Sequence, residues 1–471
     1  MTDTICALAT APGGALGIIR VSGPQAFDAV SAICSVRCHD VAPNTVHFTR
    51  LVAPATTPTG SPATTPASPI DPLLSDAVLP HHDEVIDEAL VTVFRAPHSY
   101  TGEDSVEISC HGSRYILNKV LELLIQQGCR MANPGEYTMC AYLNGKMDLS
   151  QAEAVADLIA SSNKATHQMA MSQLRGHFSS RLAQLREQLL KLTSLLELEL
   201  DFSDHEDLEF ADRSELLELA QHIDEHISRL AQTFKTGNAL KNGIPVAIVG
   251  APNVGKSTLL NALLGEERAI VSDIQDTTRD AIEDTIQLGD VTFRFIDTAG
   301  IRHTDDTIEN LGIKRSIAAA QRAHIILMMT EPGTPYPDIT VRDDQTVITV
   351  CNKSDLPPSC SVCCDNVATT PLPISAKFGV GLDLLRQRLI DAAPKTADSD
   401  VIVTNARHYD ALTRAHQHLH RVLDGLQQQT SGDLLSEDLR LVLDTLAEIT
   451  GGQITPNEVL GNIFKNFCVG K

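Results

Sequence analysis

An eight-residue segment of the chain has the spacing of a phosphate-binding loop. Residues 250–257 read Gly-Ala-Pro-Asn-Val-Gly-Lys-Ser and lie between an apolar, strand-like run and the helix-forming run TLLNALLG. In this setting glycines let backbone N–H groups close around phosphate oxygens, and the start of the helix adds its positive end. Lys256 supplies a cation and Ser257 a ligand for Mg²⁺. The segment therefore predicts a nucleoside triphosphate site.

Three further elements follow in the order expected of a guanine-nucleotide site. Residues 297–300 read Asp-Thr-Ala-Gly, where a carboxylate can hold Mg²⁺ through water and a glycine N–H can meet the γ-phosphate. Residues 352–355 read Asn-Lys-Ser-Asp, and residues 375–377 read Ser-Ala-Lys. Asp355 would accept hydrogen bonds from two donors of guanine, a pairing that adenine does not offer. The elements predict GTP and resemble those of GTPases related to translation factors.

The residue that orients the attacking water is less obvious. Ras-like GTPases place a glutamine directly after the Asp-x-x-Gly element, but this chain has Ile301, whose apolar side chain cannot orient water. Asn253, inside the phosphate-binding loop, and Glu309, beyond residue 300, are the candidates. Each has a simpler alternative: Asn253 could cap its own loop, and Glu309 could be an ordinary surface carboxylate.

The elements that must position these residues change type along the chain. Residues 1–147 alternate β-branched runs with turn signals and contain one helix-like run near 113–127, which predicts an α+β domain. Residues 241–393 alternate strand-like and helix-like runs, the order of an α/β parallel sheet. Because helical patterns flank this block on both sides, it predicts an α/β unit inserted into a helical domain.

The helical patterns rest on apolar residues that recur every three or four positions. Further helical runs cover 214–232, 405–426 and 434–449. The clearest stripe predicts one long helix and consists of Leu174, Phe178, Leu182, Leu185, Leu189, Leu192 and Leu196.

Composition limits the class of protein. A length of 471 residues with 43% hydrophobic residues excludes a fully disordered chain and suits about two to four domains. No apolar run approaches the roughly 20 residues that span a bilayer, and the N-terminus lacks the layout of a secretion signal. Eleven scattered cysteines fit reduced thiols. We expect a cytoplasmic protein without a membrane segment.

The net charge of −23 argues against a protein that simply coats nucleic-acid phosphates. However, twelve acidic residues and a single basic one fall between Glu197 and Glu225, so the remainder is only mildly acidic. This acidic stretch is either a partner or metal surface or a solvated helix pair. Arg407, Arg414 and Arg421 repeat every seven residues and form either a phosphate-binding stripe or a solvated face.

Two other segments predict no chemistry. Residues 53–72 are rich in Pro, Thr, Ser and Ala, which indicates a flexible surface insertion. Cys360, Cys363 and Cys364 have a spacing that resembles that of zinc ligands, but no second pair accompanies them, so a variable loop is the better interpretation.

Segments outside the GTPase elements carry a more specific resemblance. They are DTICALATAPGGALGIIRVSG at 3–23, SYTGEDSVEISCHG at 99–112, NPGEYTMCAYLNGKMDLSQAEAVADLI at 133–159 and the terminal FCVGK at 467–471. With the phosphate-binding loop and Thr-Thr-Arg-Asp at 277–280, they resemble the tRNA modification GTPase family called MnmE or TrmE. The resemblance covers nearly the whole chain.

The resemblance implies a multidomain α+β and α/β fold. It comprises an N-terminal α+β domain at 1–147 that binds folate and dimerises, and a mostly helical domain in two parts, 148–240 and 394–471. A Ras-like α/β G domain with the P-loop, residues 241–393, is inserted between the two parts.

The resemblance also implies a reaction. Family members hydrolyse GTP and act with a flavin-dependent partner subunit on the C5 atom of the wobble uridine in certain tRNAs. A folate such as 5-formyltetrahydrofolate supplies one carbon, and aminomethyl or carboxymethylaminomethyl groups result. A homodimer, and a heterotetramer with the partner subunit, are implied. The alternative is a regulatory GTPase switch, for example in ribosome assembly, but a switch has no need for the segments at 3–23, 99–112 and 133–159.

Residue roles carry over from the family by position. The folate pocket would use Arg20, Glu107, Lys146 and Lys471, and Cys468 has either a chemical role or that of a small buried thiol. Catalysis would involve Lys256, Asn253 and Glu309. Mg²⁺ would be held by Ser257 and Thr278, and K⁺ by Asn253, Ser272, Ile274 and Thr277. The implied GTP-binding set is Asn253, Val254, Gly255, Lys256, Ser257, Thr258, Ser272, Asp273, Ile274, Gln275, Asp276, Thr277, Thr278, Asp297, Thr298, Ala299, Gly300, Asn352, Lys353, Asp355, Ser375, Ala376 and Lys377.

Three positions depart from the family's usual residues. Asp276 stands where glycine is usual and adds a charge beside the implied K⁺ loop. Ser113 replaces a second glycine, and Cys140 replaces an arginine.

We expect Glu309→Ala to abolish the stimulation of GTP turnover by K⁺ with little loss of nucleotide affinity. The carboxylate would position the attacking water through a bridging network and would not bind the nucleotide itself. Phosphate release measured in K⁺ and in Na⁺, together with a GDP titration, separates the two quantities. Unchanged K⁺-stimulated hydrolysis would remove Glu309 from the mechanism.

Overall fold

The chain forms two compact units, one of residues 1–156 with 450–471 and one of residues 157–449. The computed structural model describes residues 3–53, 84–201, 213–265, 284–296, 318–356, 371–394 and 401–452, with Leu460, Ile463, Phe464, Phe467 and Gly470. The predicted insertion, apart from Ala53, and the loop with Cys360, Cys363 and Cys364 lie outside the described residues. No helix in these ranges is long and apolar enough to cross a membrane.

A six-stranded mixed sheet forms the centre of the first unit. Its strands are β1 (Ile5–Leu8), β2 (Leu16–Ser22), β3 (Thr45–Ala53), β4 (Glu84–Phe94), β5 (Ser105–His111) and β6 (Arg130–Met131). They lie in the order β3-β4-β5-β2-β1-β6, with neighbours antiparallel except β1 and β6. The helices that begin in this unit are α1 (Ala26–Ser31), α2 (Arg114–Gln126), α3 (Glu136–Leu143) and α4 (Leu149–Ala160).

The two faces of this sheet differ because side chains alternate along each strand. On β2, Ile19 and Val21 point into a core that also contains Ile108 and, from α2, Leu117 and Leu124. Arg20, between them, therefore lies on the opposite face. The predicted α+β class and the helix near 113–127 are confirmed.

The end of the chain packs within the first unit. Leu460, Phe464 and Phe467 share a buried cluster with Leu149 and Ala152 of α4. Residues 450–471 therefore belong to the same compact unit as the N-terminal sheet. The domain boundaries predicted from the sequence kept 394–471 together.

The second unit combines a helical bundle with an α/β sheet. Its helices are α5 (Lys164–Leu174), α6 (His177–Asp201), α7 (Arg213–Asn242), α8 (Lys256–Leu264), α9 (Leu382–Ala392), α10 (Ala406–Gln427) and α11 (Gly432–Thr450). Its strands are β7 (Ile244–Gly250), β8 (Asp284–Leu288), β9 (Val291–Phe295), β10 (Ile325–Thr330), β11 (Thr346–Cys351) and β12 (Leu372–Pro373).

The bundle closes around the insertion. α7 ends at Asn242 and β7 begins at Ile244, while α10 follows the α/β part; α6, α7, α10 and α11 share one buried core. The inserted arrangement predicted from the sequence is thus confirmed. The predicted single helix through residues 174–196 is wrong at its start, because α5 ends at Leu174 and Gly176, at φ 81°, breaks the helix before α6.

The α/β sheet brings the nucleotide elements to one edge. Its order is β12-β11-β10-β7-β9-β8, with all pairs parallel except β8 and β9. The phosphate-binding loop follows β7, which has β10 on one side and β9 on the other, the position at which open α/β sheets bind ligands. Residues 352–355 and 375–377 follow β11 and β12, so they lie at the same carboxyl edge.

We expect Gly237→Ala to destabilise the helical bundle. A Cβ at this buried α7 position would lie 2.3 Å from the carbonyl oxygen of Val403, which precedes α10. The overlap should cost about 1–3 kcal/mol, although Gly→Ala within a helix ordinarily gains roughly 1 kcal/mol. The shift in the midpoint of urea unfolding shows whether the substitution lowers or raises the stability.

Asn238→Ala is the matched control, because residue 238 is exposed on the same turn of α7. Its free energy of unfolding should stay within about 0.5 kcal/mol of that of the wild type. A midpoint for Gly237→Ala at or above that of the wild type would contradict the close approach of the two backbones.

Candidate functional site

The phosphate-binding loop has the backbone conformation that its sequence predicts. Asn253 and Gly255 adopt the left-handed region at φ 63° and 93°, and α8 begins directly afterwards at Lys256. Lys256 Nζ donates to the carbonyl oxygens of Gly250 and Ala251 at 2.8 and 2.9 Å, and burial lowers the pKa of this ammonium group. The loop thus holds a partly desolvated cation where a phosphate group would lie against the helix N-terminus.

The buried amide of Asn352 connects two parts of the site. Its Nδ2 donates to the carbonyl oxygen of Val254 at 2.7 Å, and its Oδ1 accepts from the backbone N–H of Ala376 at 3.0 Å. Only 3% of Asn352 is exposed. A Cβ at position 255 would lie 2.4 Å from Asn352 Nδ2, so Gly255 is required both by its φ angle and by this approach.

Several residues predicted to recognise the base are also brought together. Ser375 Oγ donates to Asp355 Oδ1 at 2.6 Å, which fixes an exposed carboxylate beside Asn352. Lys353 forms an ion pair with Glu331, the residue directly after β10. Lys377 lies over the ring of Phe378, with 5.3 Å between Nζ and the ring centroid. An oriented carboxylate at this point can accept from the two guanine donors.

The described residues include only some of those predicted to bind GTP and its metal ions. Ser257 and Thr258 lie in the first turn of α8, where Ser257 can serve as a Mg²⁺ ligand. The remaining predicted GTP, Mg²⁺, K⁺ and water-positioning residues lie outside the described ranges and stay predictions: Ser272, Asp273, Ile274, Gln275, Asp276, Thr277, Thr278, Asp297, Thr298, Ala299, Gly300 and Glu309.

A second polar cluster lies on the open face of the N-terminal sheet. Arg20 of β2 and Glu107 of β5 are directly opposite in register, and Arg20 Nε and Nη2 both donate to Glu107 Oε1, at 2.9 and 2.7 Å. Arg20 Nη1 donates to the carbonyl oxygen of Gly470 at 3.1 Å. The chain end therefore reaches the Arg20–Glu107 pair that the sequence singled out.

Two tyrosines flank this arginine. The guanidinium carbon of Arg20 lies 5.7 Å from the ring centroid of Tyr100 and 5.6 Å from that of Tyr137, within cation–π range. Tyr137 also donates from its hydroxyl to the carbonyl oxygen of Arg20 at 2.8 Å. Burial raises the pKa of both phenols. Arg20 therefore lies against one fully buried ring, that of Tyr137, and one partly exposed ring, that of Tyr100.

The other predicted folate residues are placed differently. Exposed Lys146, after α3, donates to the carbonyl oxygen of Pro97 at 2.8 Å and has no hydrogen bond to Arg20 or Glu107 in the described structure. Lys471 and Cys468 lie outside the described residues. Cys140 is buried in α3 beside Tyr137, and burial raises the pKa of its thiol to about 12.

The arginine stripe joins two helices. Arg407 Nη1 and Nη2 donate to the carbonyl oxygens of Glu448 and Ile449 on α11, and Arg414 Nη1 and Nη2 contact the Glu448 carboxylate at 3.3 and 2.7 Å. Arg421 lies 3.5 Å from Asp438. The three arginines thus connect α10 to α11. The sequence had suggested a phosphate-binding stripe or a solvated face, and neither interpretation included this contact.

Comparisons with known proteins match both the N-terminal part of the chain and the part that contains the helical bundle. The family model of the MnmE helical domain matches residues 149–468, and the model of the GTP-binding protein TrmE N-terminus matches residues 4–146. The chain belongs to the MnmE family.

Relatives in the MnmE family match over their whole length. Proteins named tRNA modification GTPase MnmE are 53% identical in Phocaeicola vulgatus, 51% in Bacteroides thetaiotaomicron and 45% in Christiangramia forsetii. Each alignment covers 100% of this chain and 99%, 99% and 100% of the respective relative. The resemblance read from the segments at 3–23, 99–112 and 133–159 is confirmed.

The sequence had not singled out several residues of these sites in the MnmE-family chain. Tyr100 and Tyr137 lie inside two of the four segments that carried the family resemblance, so their position was a usable signal. Glu331 follows a buried strand at the carboxyl edge of the sheet, which is where site residues gather in α/β folds. Gly470 contacts Arg20 through its backbone carbonyl oxygen, and no side chain in the sequence could have indicated this contact.

We expect Asn352→Ala to weaken the binding of GTP and GDP alike. The change removes two buried hydrogen bonds that join the phosphate-binding loop to residue 376, each worth about 0.5–1.5 kcal/mol, so the Kd should rise roughly 5- to 150-fold. Titration with a fluorescent GDP analogue measures the change.

Ser354→Ala is the control, because this neighbouring side chain is exposed while its backbone N–H keeps the bond to Ile374. Its Kd should match that of the wild type. Equal affinity of Asn352→Ala and wild type would show that the loop closes without this amide.

Proposed function

We propose that this protein is a GTP-hydrolysing tRNA modification enzyme that acts on C5 of the wobble uridine. In this proposal a flavin-dependent partner subunit and a folate one-carbon donor, such as 5-formyltetrahydrofolate, take part, and an aminomethyl or carboxymethylaminomethyl group results. Membership of the MnmE family, with relatives named tRNA modification GTPase, supports GTP hydrolysis in tRNA modification. The finer chemistry is supported by the sites described above.

The guanine-nucleotide site supports the GTPase half of the proposal. Asp355, oriented by Ser375, would select guanine, and Lys256 would neutralise phosphate charge. Ser257, with Thr278, would hold Mg²⁺, which supplies charge neutralisation at the phosphates. Exposed Asn253 suits a K⁺ ligand, because its amide oxygen lies in the loop beside the phosphates; Ser272, Ile274 and Thr277 would complete that site, with Glu309 positioning water.

The cluster around Arg20 carries the modification half of the proposal. A folate combines a flat pterin ring, whose donor edge pairs with a carboxylate, with an anionic tail that needs cations. Glu107 Oε2 accepts no hydrogen bond from a described residue, while the partly exposed ring of Tyr100 provides an aromatic surface and Arg20 provides positive charge. Lys146 and Lys471 would bind the tail, and Cys468 follows Phe467 toward the same chain end.

The sheet face supports a homodimer. Val46 and Phe48 on β3 and Leu90 on β4 are 59%, 63% and 45% exposed, and the strand register places all three on one face. Arg20, Glu107 and Val46 lie in one row across the same face. An apolar patch of this kind suits a second copy of the chain. We therefore place the folate site beside the dimer contact, in a cytoplasmic complex with the partner subunit and tRNA.

A regulatory GTPase switch is the second candidate, because the nucleotide site fits it equally well. The Arg20–Glu107 pair with its two tyrosines argues against it, since a switch that performs no base chemistry needs no such site. This single cluster is the observation that carries the proposal.

We expect cells without this protein to lack the C5 modification of the wobble uridine. Wild-type protein supplied from a plasmid should restore it, and Arg20→Ala should not, because the variant loses the cation that faces Glu107. Mass analysis of nucleosides from purified tRNA measures the modified fraction.

Arg50→Ala is the matched control. Arg50 also lies on a strand of the N-terminal sheet and pairs with a glutamate, Glu88, but both side chains are more than half exposed. It should restore modification fully. Normal wobble uridines in the cells without the protein would contradict the proposal and favour the regulatory switch.

A further inference from the structure

Two histidines and a carboxylate meet on the surface of the helical bundle, apart from the sites described so far. His416 and His420 are one turn apart on α10, and Asp224 faces them from α7. His416 Nδ1 lies 2.7 Å from Asp224 Oδ1, and His420 Nε2 lies 3.8 Å from Asp224 Oδ2. One ligand atom from each residue lies within 4.8 Å of the other two.

We propose that Asp224, His416 and His420 form a binding site for a divalent transition-metal ion, with Zn²⁺ as the best fit. Imidazole nitrogens and a carboxylate are ligands that Zn²⁺ prefers, whereas Mg²⁺ and Ca²⁺ favour oxygen. Tetrahedral Zn²⁺ holds such atoms about 3.3 Å apart. The three atoms lie within 4.8 Å of one another, and on binding the ion their side chains would rotate to reach that spacing.

The charges around Asp224 favour a cation at this point. Its side chain is only 15% exposed. Among the described residues it forms ion pairs with the two histidines and with no lysine or arginine. The nearest arginines on α10 engage other carboxylates, Arg414 with Glu448 and Arg421 with Asp438. A mostly buried carboxylate is costly without a full positive charge nearby, which a divalent ion would supply.

The packing holds the three ligands in place while leaving an approach from solvent. Ile223 and Leu419, adjacent to ligands on α7 and α10, are fully buried in the bundle core. His420, by contrast, is 54% exposed. Three protein ligands with one side open leave a coordination position for water.

Asp224 also gives part of the acidic stretch between Glu197 and Glu225 a specific role. Asp224 is one of the twelve acidic residues of this stretch. Since α7 leads into the inserted domain and α10 follows it, a bound ion would cross-link the two helices that flank the insertion.

The experiment uses the full-length protein, treated with a chelator and kept in reducing buffer with Mg²⁺. Calorimetric titration should detect Zn²⁺ binding that His420→Ala and Asp224→Asn each weaken by more than about tenfold, since even second-layer changes cost this much at metal sites. Zn²⁺ should raise the midpoint of thermal unfolding of the wild type by about 5 °C.

His418→Ala is the matched control, because His418 lies on the same turn of α10 but contacts Arg421 and is not one of the ligands. It should keep the wild-type Zn²⁺ affinity. Since His420 is exposed, its replacement should leave the fold intact, and circular dichroism without metal checks this.

The eleven cysteines are the competing ligands, and Co²⁺ distinguishes them. The proposed site should give visible d–d bands of nitrogen and oxygen ligands without a thiolate charge-transfer band. The proposal is overturned if His420→Ala binds Zn²⁺ as tightly as the wild type, or if all Co²⁺ absorption shows thiolate ligation. Neither result bears on the proposed tRNA chemistry.

Discussion

The packing of α7 against α10 is the contact on which the second unit depends. The chain leaves the bundle at Asn242, builds the α/β sheet and returns before α10, so the bundle core forms only when two distant segments meet. The absence of a side chain at Gly237 lets residues 402–403 approach α7 closely. At its N-terminal end, α5 adds a further connection, because Asn163 Nδ2 donates to Thr292 Oγ1 of β9 at 2.9 Å. The insertion is therefore held where the chain leaves the bundle, where it returns to it, and at the start of β9.

Within that frame, the nucleotide site depends on a buried amide. Asn352 joins the phosphate-binding loop, through the carbonyl oxygen of Val254, to the backbone N–H of Ala376 in the segment predicted to contact the base. A buried amide whose nitrogen and oxygen are both paired favours a single geometry, because a displacement leaves a polar atom without its partner. The exposed carboxylate of Asp355 is oriented by the same small network.

The N-terminal sheet uses its two faces for different purposes. Alternation buries Ile19 and Val21 against α2 and turns Arg20 toward the face that also carries Glu107 and the apolar side chains of β3 and β4. The chain end returns to this face through the carbonyl oxygen of Gly470. A single strand register thus brings a cation, a carboxylate and a surface suited to a second copy into neighbouring rows.

The sequence by itself determined the classes of element, the inserted order of the parts, the phosphate-binding loop and the family. These features depend on local spacing: glycines in a loop, the period of apolar residues, and motifs contiguous in the chain. The sequence-based prediction joined Leu174 to the following helix, which was wrong. The three-to-four-residue spacing of apolar side chains continues across Gly176, so the spacing does not show the break in the backbone there. Only the tertiary structure decided that Arg407 and Arg414 fix α11, that Tyr100 and Tyr137 enclose Arg20, and that Asp224 meets two histidines 192 and 196 positions later. Such pairings are set by which helices and strands become neighbours, and that choice is made by the whole core and not by any one segment.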